Sequence, residues 1–479
     1  MKKYLICILS AALSGLAFIF PSLAWLLFFA PALYCYFLFT GKRYFAFGFL
    51  FGFFFTAVSS SFLLSLDLTW LFSPLLSVLL PPLAHLSLSL FSGAVLGIFT
   101  LIFSAVKKRI AQRYFPLAFS SLWVIYEFLS GADFLATGYT WGRLSVPFAR
   151  FPAFIQTASL FGMLFISFLS VFFSSSFALS VIKKSAEPLL IPSVLLLLNL
   201  SVSLYLYSAP VSGEKITAAA IQTGFDTKSK RRAFLYTLSD EEAKEFHSAD
   251  LIVFPEAAMP AYLNESPYLE ILSRKAKENG VSVLMGALYR NEGKNETSIY
   301  LLPEGDVSSK RHPVPFGEYT PILWRFSPYI EATNITGSEK LLPLNAGPAE
   351  CGAIVCFDSI FPAYSRESVK NGANLLCIST NDSWFLSESS ARLHLYHSIY
   401  RCIENSRFGV RSACTGISAI IDSKGNILSS LSQGKTGRVS YDVTLNESRT
   451  LYSTAGDIPI LLFSAAAIIY TLIRRNDDD

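Results

Sequence analysis

Two rhythms of apolar and polar residues divide the chain, and the change comes at Ala209 and Pro210. Before it, long apolar runs are broken only by short polar or basic punctuation. After it, the apolar runs shrink to strand length and alternate with polar stretches. A bilayer core about 30 Å thick needs about 20 helical residues to cross it. Seven early runs approach that length, at 4–20, 22–40, 44–66, 75–106, 114–130, 154–182 and 188–208, and an eighth, 456–473, closes the chain. The fourth is too long for one straight span. Pro81 and Pro82 predict either a kink there or a division into a surface segment and a true span. The first run follows Lys2 and Lys3 as a signal peptide would, but it passes directly into the second, which predicts a retained helix.

In the second region ITAAAIQT, LIVFPE, VSVLMGAL, SIYLLP, CGAIVCFD and ANLLCIST read as buried strands. The stretches 231–247, 268–280, 363–371 and 388–407 read as helices between them, and SAIIDSKGNIL as a hairpin turning at Lys424 and Gly425. This alternation predicts a layered α/β domain. The expected organisation is an N-terminal membrane domain over 1–210, a catalytic domain over 211–455, and a transmembrane helix with a short tail over 456–479.

Charge sharpens the division, because a charged side chain at the bilayer centre costs roughly 3 kcal/mol. Residues 1–210 hold 16 charged residues, whereas 211–455 hold 25 Lys and Arg against 27 Asp and Glu, the balance of a water-facing domain. Ten of the 12 basic residues before position 210 fall in alternate loops, at Lys2, Lys3, Lys42, Arg43, Lys107, Lys108, Arg109, Arg113, Lys183 and Lys184. With Arg474 and Arg475 they predict cytoplasmic termini and an extracytoplasmic second domain. The formal net charge of +4 is thereby an orientation signal and not a nucleic-acid footprint. Arg143 and Arg150 lie on the opposite side, in the stretch 131–152 with Asp133, Tyr139 and Trp141. That stretch reads equally as a route of lipid access and as a loop anchored in the interface by its aromatics.

Seven Cys occur with no zinc-ligand spacing and no disulfide framework, so attention passes to a single reactive thiol. Cys356 closes a strand, Glu256 closes LIVFPE, and Lys310 lies in SSKRHPVPFGEYTP. Taken singly, they read as a small buried hydrophobe, a turn carboxylate and a surface lysine. Together they supply a nucleophile, a proton acceptor and a cation for a tetrahedral intermediate, the parts needed for acyl transfer. Cys351, five residues earlier, is expected on the opposite strand face and so away from the site. The residues alone leave open a membrane-tethered amidase that delivers the acyl group to water, and a non-enzymatic membrane scaffold or transporter with a degenerate domain.

FPEAAMP around Glu256, KRHPVPFGEYTP around Lys310, and IVCFDSIFP around Cys356 resemble the nitrilase superfamily of carbon–nitrogen hydrolases. HPVPFGEYTP, TNDSWF and the flanking membrane helices resemble one branch in particular, the apolipoprotein N-acyltransferases. The resemblance implies an αββα sandwich with Cys356 as nucleophile, Glu256 as base and Lys310 as oxyanion partner. It implies an auxiliary role for Glu318, Asp358 and Phe357, and places Asn381 and Trp384 near the substrate. It implies a phospholipid acyl donor, a diacylglyceryl apolipoprotein acceptor, no metal or cofactor, and a monomer among the lipids of a bacterial inner membrane. Phe357 and Asp358 depart from the Tyr and Glu usual in the family, and no Trp lies between Gln222 and Trp324. The apolar segment 321–330 reads equally as a lid dipping toward the lipid and as core.

Overall fold

The computed structural model describes residues 1–69, 73–131, 140–224, 249–315, 317–319, 335–338 and 342–474, with Pro260 described by its backbone alone. The helix expected at 231–247 and the candidate lid at 321–330 lie outside the described residues. The chain forms two compact units. One comprises Met1–Ala209, Phe385–Tyr396 and Ala455–Asp479, and the other Pro210–Trp384 with His397–Thr454. The final apolar helix thus shares a unit with the N-terminal helices.

In the helical unit each long apolar run becomes helix. Stretches Lys2–Ile19, Pro21–Thr40, Pro74–Lys107, Met163–Lys183 and Glu187–Ser208 are long and apolar enough to cross a membrane. Tyr44–Ser59, Phe115–Ser130 and Ile458–Ile473 are apolar helices of 16 residues. Apolar side chains on such helices face outward, as Leu190, Ile191, Val194, Leu197 and Leu198 do, because lipid rather than water is their solvent. Pro81 and Pro82 do not divide the fourth run, which continues as one helix for 34 residues. Its packing against Tyr44–Ser59 favours continuity: a Cβ on Gly52 would stand 2.7 Å from the Ser92 carbonyl oxygen, so only glycine permits the two backbones to approach this closely.

The segment after Gly131 differs from a loosely anchored interfacial loop where it is described. Arg143 is buried and its Nη2 donates to the Glu127 carbonyl oxygen at 3.4 Å, while the Leu144 N–H donates to Glu127 Oε1 at 2.9 Å, so two hydrogen bonds tie this segment to the helix Phe115–Ser130. Trp141 packs against Phe62 at 5.6 Å. Asp133 and Tyr139 lie outside the described residues.

The second unit is built on two sheets. The first runs in the order β13-β1-β2-β4-β5-β6 with β3 paired to β4, where β1 is Lys215–Gln222, β2 Leu251–Val253, β3 Met259–Tyr262, β4 Ser282–Asn291, β5 Lys294–Leu302, β6 Val307–Ser309 and β13 Gly437–Thr444. The second runs β12-β11-β10-β9-β8-β7, where β7 is Leu344–Ala346, β8 Ala349–Val355, β9 Leu375–Thr380, β10 Phe408–Ala413, β11 Ser418–Ile421 and β12 Ile427–Leu431. Side-chain alternation along each strand sends one set of residues between the sheets. Ala218, Leu251, Leu284, Ile299, Cys351, Ala353, Cys377 and Val410 meet there in one core. The opposite faces are covered by helices. Ala276 of Tyr268–Glu278 packs on the first sheet, and Val369 of Pro362–Lys370 on the second. The layers are therefore helix, sheet, sheet, helix.

Cys351 corrects the strand-parity expectation. It points into the inter-sheet core together with Cys356, because Cys356 lies one residue beyond β8, at φ +48, where strand alternation has ended.

Candidate active site

The parallel strands β2, β8 and β9 end at one edge of the sandwich core, and the reactive side chains emerge there. Each arrives by a local deviation from extended backbone. Cys356 has φ +48 and Ala257, next to Glu256, has φ +50, conformations that cost side-chain-bearing residues about 1–3 kcal/mol each. Such turns are retained where they aim a side chain away from the strand it follows. Gly286 on β4 makes room for this corner, since a Cβ there would lie 2.1 Å from the Pro255 carbonyl oxygen and 2.9 Å from Glu256 Cα.

Lys310 is buried, and its Nζ lies 3.1 Å from Glu256 Oε1 and 2.9 Å from Glu318 Oε1. The remaining carboxylate oxygens accept main-chain N–H groups: Asn381 donates to Glu256 Oε2 at 2.9 Å, and Val314 to Glu318 Oε2 at 2.6 Å. Both acids are thus fixed at two points with the ammonium between them. The Cys414 thiol donates to the Glu256 carbonyl oxygen, and Ser379 Oγ to that of Phe254, which ties the Glu256 corner to β9 and β10.

Burial alone would depress the Lys310 ammonium, but the Glu256 and Glu318 carboxylates overturn this and hold its pKa well above the usual lysine value. Burial raises Glu318, with Lys310 opposing. The Cys356 thiol is raised well above its ordinary value, first by burial and then by the Glu256 carboxylate, while Lys310 and a hydrogen bond with the Thr380 side chain pull it down. The resting sulfur is therefore a thiol whose proton needs an acceptor, and Glu256 is the nearby carboxylate.

Asp358 sits behind Lys310. Its Oδ2 accepts the Arg311 N–H at 3.0 Å and its Oδ1 the His312 N–H at 2.8 Å, anchoring the backbone that carries the lysine. Burial pushes its pKa up to about 7. A carboxyl raised on folding costs stability as it ionises, so this contribution declines from about pH 4, where the unfolded group titrates, to about pH 7. Asp358→Asn removes the titration. In detergent the variant's thermal-unfolding midpoint, relative to wild type, is expected to rise between about pH 4 and about pH 7 and then to level off; a pH-independent difference would show that Asp358 does not titrate in this range.

Phe357 stands edge-on to Phe361 at 5.3 Å and lies 5.8 Å from His312, so its ring fills the space beside the same loop. Asn381 contributes through its backbone N–H, its side-chain oxygen being taken by the Ser383 N–H at 3.2 Å. Trp384 leans on Gly317, where a Cβ would lie 2.7 Å from its ring and displace the turn at Gly317 and Glu318. Sequence reading missed Asp382 and Arg411, a fully buried ion pair at 2.8 Å beside the site. The available signal was an arginine inside the apolar run Phe408–Ala413, which needs a buried acid to sit there.

A lysine held between two carboxylates, with a buried thiol at the same strand ends of an αββα sandwich, has the parts that thiol-dependent acyl transfer needs, and residues 217–452 match the family model described as Carbon-nitrogen hydrolase. Residues 10–176 match the Apolipoprotein N-acyltransferase N-terminal domain. The chain belongs to the apolipoprotein N-acyltransferase family and is a membrane acyltransferase of the carbon–nitrogen hydrolase superfamily. It is similar to the apolipoprotein N-acyltransferase of Geobacter metallireducens, with 29% identity over 79% of this chain and 78% of that protein. It is likewise similar to that of Vibrio vulnificus, with 27% identity over 81% and 82%. Among solved structures, Saccharomyces cerevisiae Nit3, a member of branch 10 of the nitrilase superfamily, aligns over 50% of this chain and 92% of its own at 17% identity and a TM-score of 0.39.

Proposed function

We propose that the chain moves a fatty acyl group from the sn-1 ester of a phospholipid to the α-amine of an S-diacylglyceryl-cysteine at a lipoprotein N-terminus, by way of a thioester on Cys356. The observation that carries this reading is the Lys310 ammonium clasped between Glu256 and Glu318 beside the Cys356 thiol.

In the first half-reaction Glu256 takes the thiol proton as the sulfur attacks the ester carbonyl carbon. The carbonyl oxygen becomes an oxyanion, and Lys310 with the Phe357 backbone N–H stabilises it. Collapse of the intermediate breaks the ester C–O bond. The departing glycerol oxygen takes the proton from Glu256, leaving lysophospholipid and acyl-Cys356. In the second half the amine attacks the thioester, Glu256 takes a proton from the nitrogen, and the sulfur leaves and recovers that proton. Glu318 keeps Lys310 in register, Asp358 holds its loop, and Asn381 and Trp384 shape the substrate side.

A membrane setting suits these substrates, since each exposed methylene of an acyl chain costs about 0.8 kcal/mol in water. The alternating basic loops support cytoplasmic termini and an extracytoplasmic catalytic unit in a bacterial inner membrane, with the chain acting as a monomer. A membrane-impermeant maleimide added to intact spheroplasts is expected to label Lys294→Cys and to leave Lys108→Cys unlabelled until lysis. The opposite pattern would invert the topology.

The reaction is tested with purified protein and a phospholipid. One acyl mass is expected on Cys356, and a diacylglyceryl peptide should then remove it and appear as an amide. Release of free fatty acid with the peptide unchanged would instead assign a hydrolase.

A further inference from the structure

The ion pair of Asp382 and Arg411 is not used in the acyl-transfer scheme, yet it is fully buried and fully bonded. Arg411 Nη2 lies 2.8 Å from Asp382 Oδ2, its Nη1 donates to Ser398 Oγ at 3.0 Å, and its Nε donates to the Ile417 carbonyl at 3.3 Å. The other carboxylate oxygen, Asp382 Oδ1, accepts the Thr380 hydroxyl at 3.0 Å. A buried pair of this kind is weak evidence for stability alone, because desolvation offsets most of the attraction. Its placement suggests another use.

Thr380 ends β9, and the parallel register pairs Ser379 with Val355 of β8. One residue further come Thr380, the last of β9, and Cys356, the first beyond β8, so the two are neighbours where the strands stop. On its other side Thr380 pairs with Ala413 of β10, and its carbonyl accepts the Cys414 N–H at 3.1 Å. The Thr380 hydroxyl therefore has a fixed position between the Asp382 side chain and the sulfur.

We infer that Thr380 is a hydrogen-bond partner of the Cys356 sulfur, with Asp382 and Arg411 as the positioning pair that holds its hydroxyl in place. In the resting state the hydroxyl hydrogen lies toward Asp382, which is paired with Arg411. When Cys356 carries negative charge, as it loses its proton to Glu256 or departs from the thioester, rotation about the Cβ–Oγ1 bond swings that hydrogen to the sulfur. No heavy atom moves and no net proton is transferred. Asp382 stays anchored by Arg411 meanwhile, so the hydroxyl can leave it without stranding an unpaired carboxylate. The direction of the Thr380 effect on the thiol, downward, agrees. The other charged groups acting on the sulfur are Glu256 and Asp382, which raise it, and Lys310, which lowers it.

The inference rests on the proposed acyl transfer for its purpose, but one of its readouts does not. Alkylation of Cys356 by iodoacetamide in the full-length protein in detergent, followed by peptide mass as a function of pH, needs no lipid. Thr380→Val is expected to raise the alkylation midpoint by about one pH unit and to slow single-turnover acylation about tenfold, the scale of one hydrogen bond to a charged group. Thr380→Ser, which keeps the hydroxyl, should restore both to within about threefold, and Thr380→Ala should resemble the valine variant if valine impairs folding. In an Asp382→Asn background the valine substitution should add much less than it does alone, since both act through one hydroxyl.

An unchanged alkylation profile in both Thr380→Val and Thr380→Ala would overturn the inference. So would a serine variant as impaired as valine, which would assign Thr380 to packing, or fully multiplicative effects with Asp382→Asn. If wild type forms no acyl adduct while the Thr380 variants still shift the alkylation midpoint, the acyl-transfer reading fails and the hydroxyl contact stands.

Discussion

Cys356→Ala is expected to leave no covalent acyl adduct after incubation with phospholipid, and to lower turnover by on the order of 10⁵-fold or more, as removal of a nucleophile does in other acyl-transfer enzymes. The expectation follows from where the sulfur sits. Cys356 is held past the end of β8 at φ +48, beside Glu256 and Lys310, whereas Cys351 and Cys377 lie within strands β8 and β9 and Cys402 is buried on the helix Glu388–Asn405. Cys414 is the nearest competitor, because its thiol contacts the Glu256 carbonyl. That contact is with a backbone oxygen, which cannot accept the thiol proton for good. Intact-mass measurement decides the matter: an adduct of undiminished yield in Cys356→Ala would transfer the nucleophile to another cysteine and break the scheme.

Lys310→Met should be nearly as damaging and for two separable reasons. It removes a cation from the oxyanion position, worth roughly 10²- to 10³-fold in rate. It also leaves Glu256 and Glu318 facing each other in a buried site without the charge between them, and breaking a buried pair in this way costs about 3–5 kcal/mol. The stability loss should shrink as the pH is lowered, because one of the two carboxyls can then take up a proton and the repulsion disappears. Activity should not return with it. Thermal unfolding at pH 5 and pH 8, alongside single-turnover acylation, separates the effects; a variant as stable as wild type at pH 8 would show that Lys310 does not bridge the acids.

Much of this molecule was legible along the chain because its main solvents differ. A run of 20 apolar residues has no stable place in water, so the helical elements follow from composition and length. The strands around LIVF, GAIV and LLCIST follow for a similar reason, being buried on both faces and thus continuously apolar. Glu256, Lys310 and Cys356 could be chosen because they interrupt apolar strand ends or accompany recognisable turns. Even the departure at Asp358 was visible, although its partners were not.

Other features depended on contacts between residues far apart in sequence. Helical continuity through Pro81 and Pro82 accompanies close packing on Gly52, information that lies some 30 residues away. The side of β8 on which Cys356 emerges depends on one left-handed residue, which reverses the parity argument applied to Cys351. Strand β10 was overlooked because Arg411 makes it resemble a surface segment, and its charge becomes acceptable only beside Asp382, 29 positions earlier.

The linear order of apolar, basic and reactive residues by itself determined that this chain has membrane-length helices, a layered α/β unit, and a cysteine, an acid and a lysine suited to acyl chemistry. Hydrophobic runs and local motifs suffice for that, since they act through solvent and nearest neighbours. Only the tertiary structure decided that Lys310 lies between two carboxylates, that backbone N–H groups fix both acids, and that Thr380 stands next to the sulfur. Those relations are electrostatic and directional, falling off within a few ångströms, so they exist only once the sheets have brought distant strand ends together.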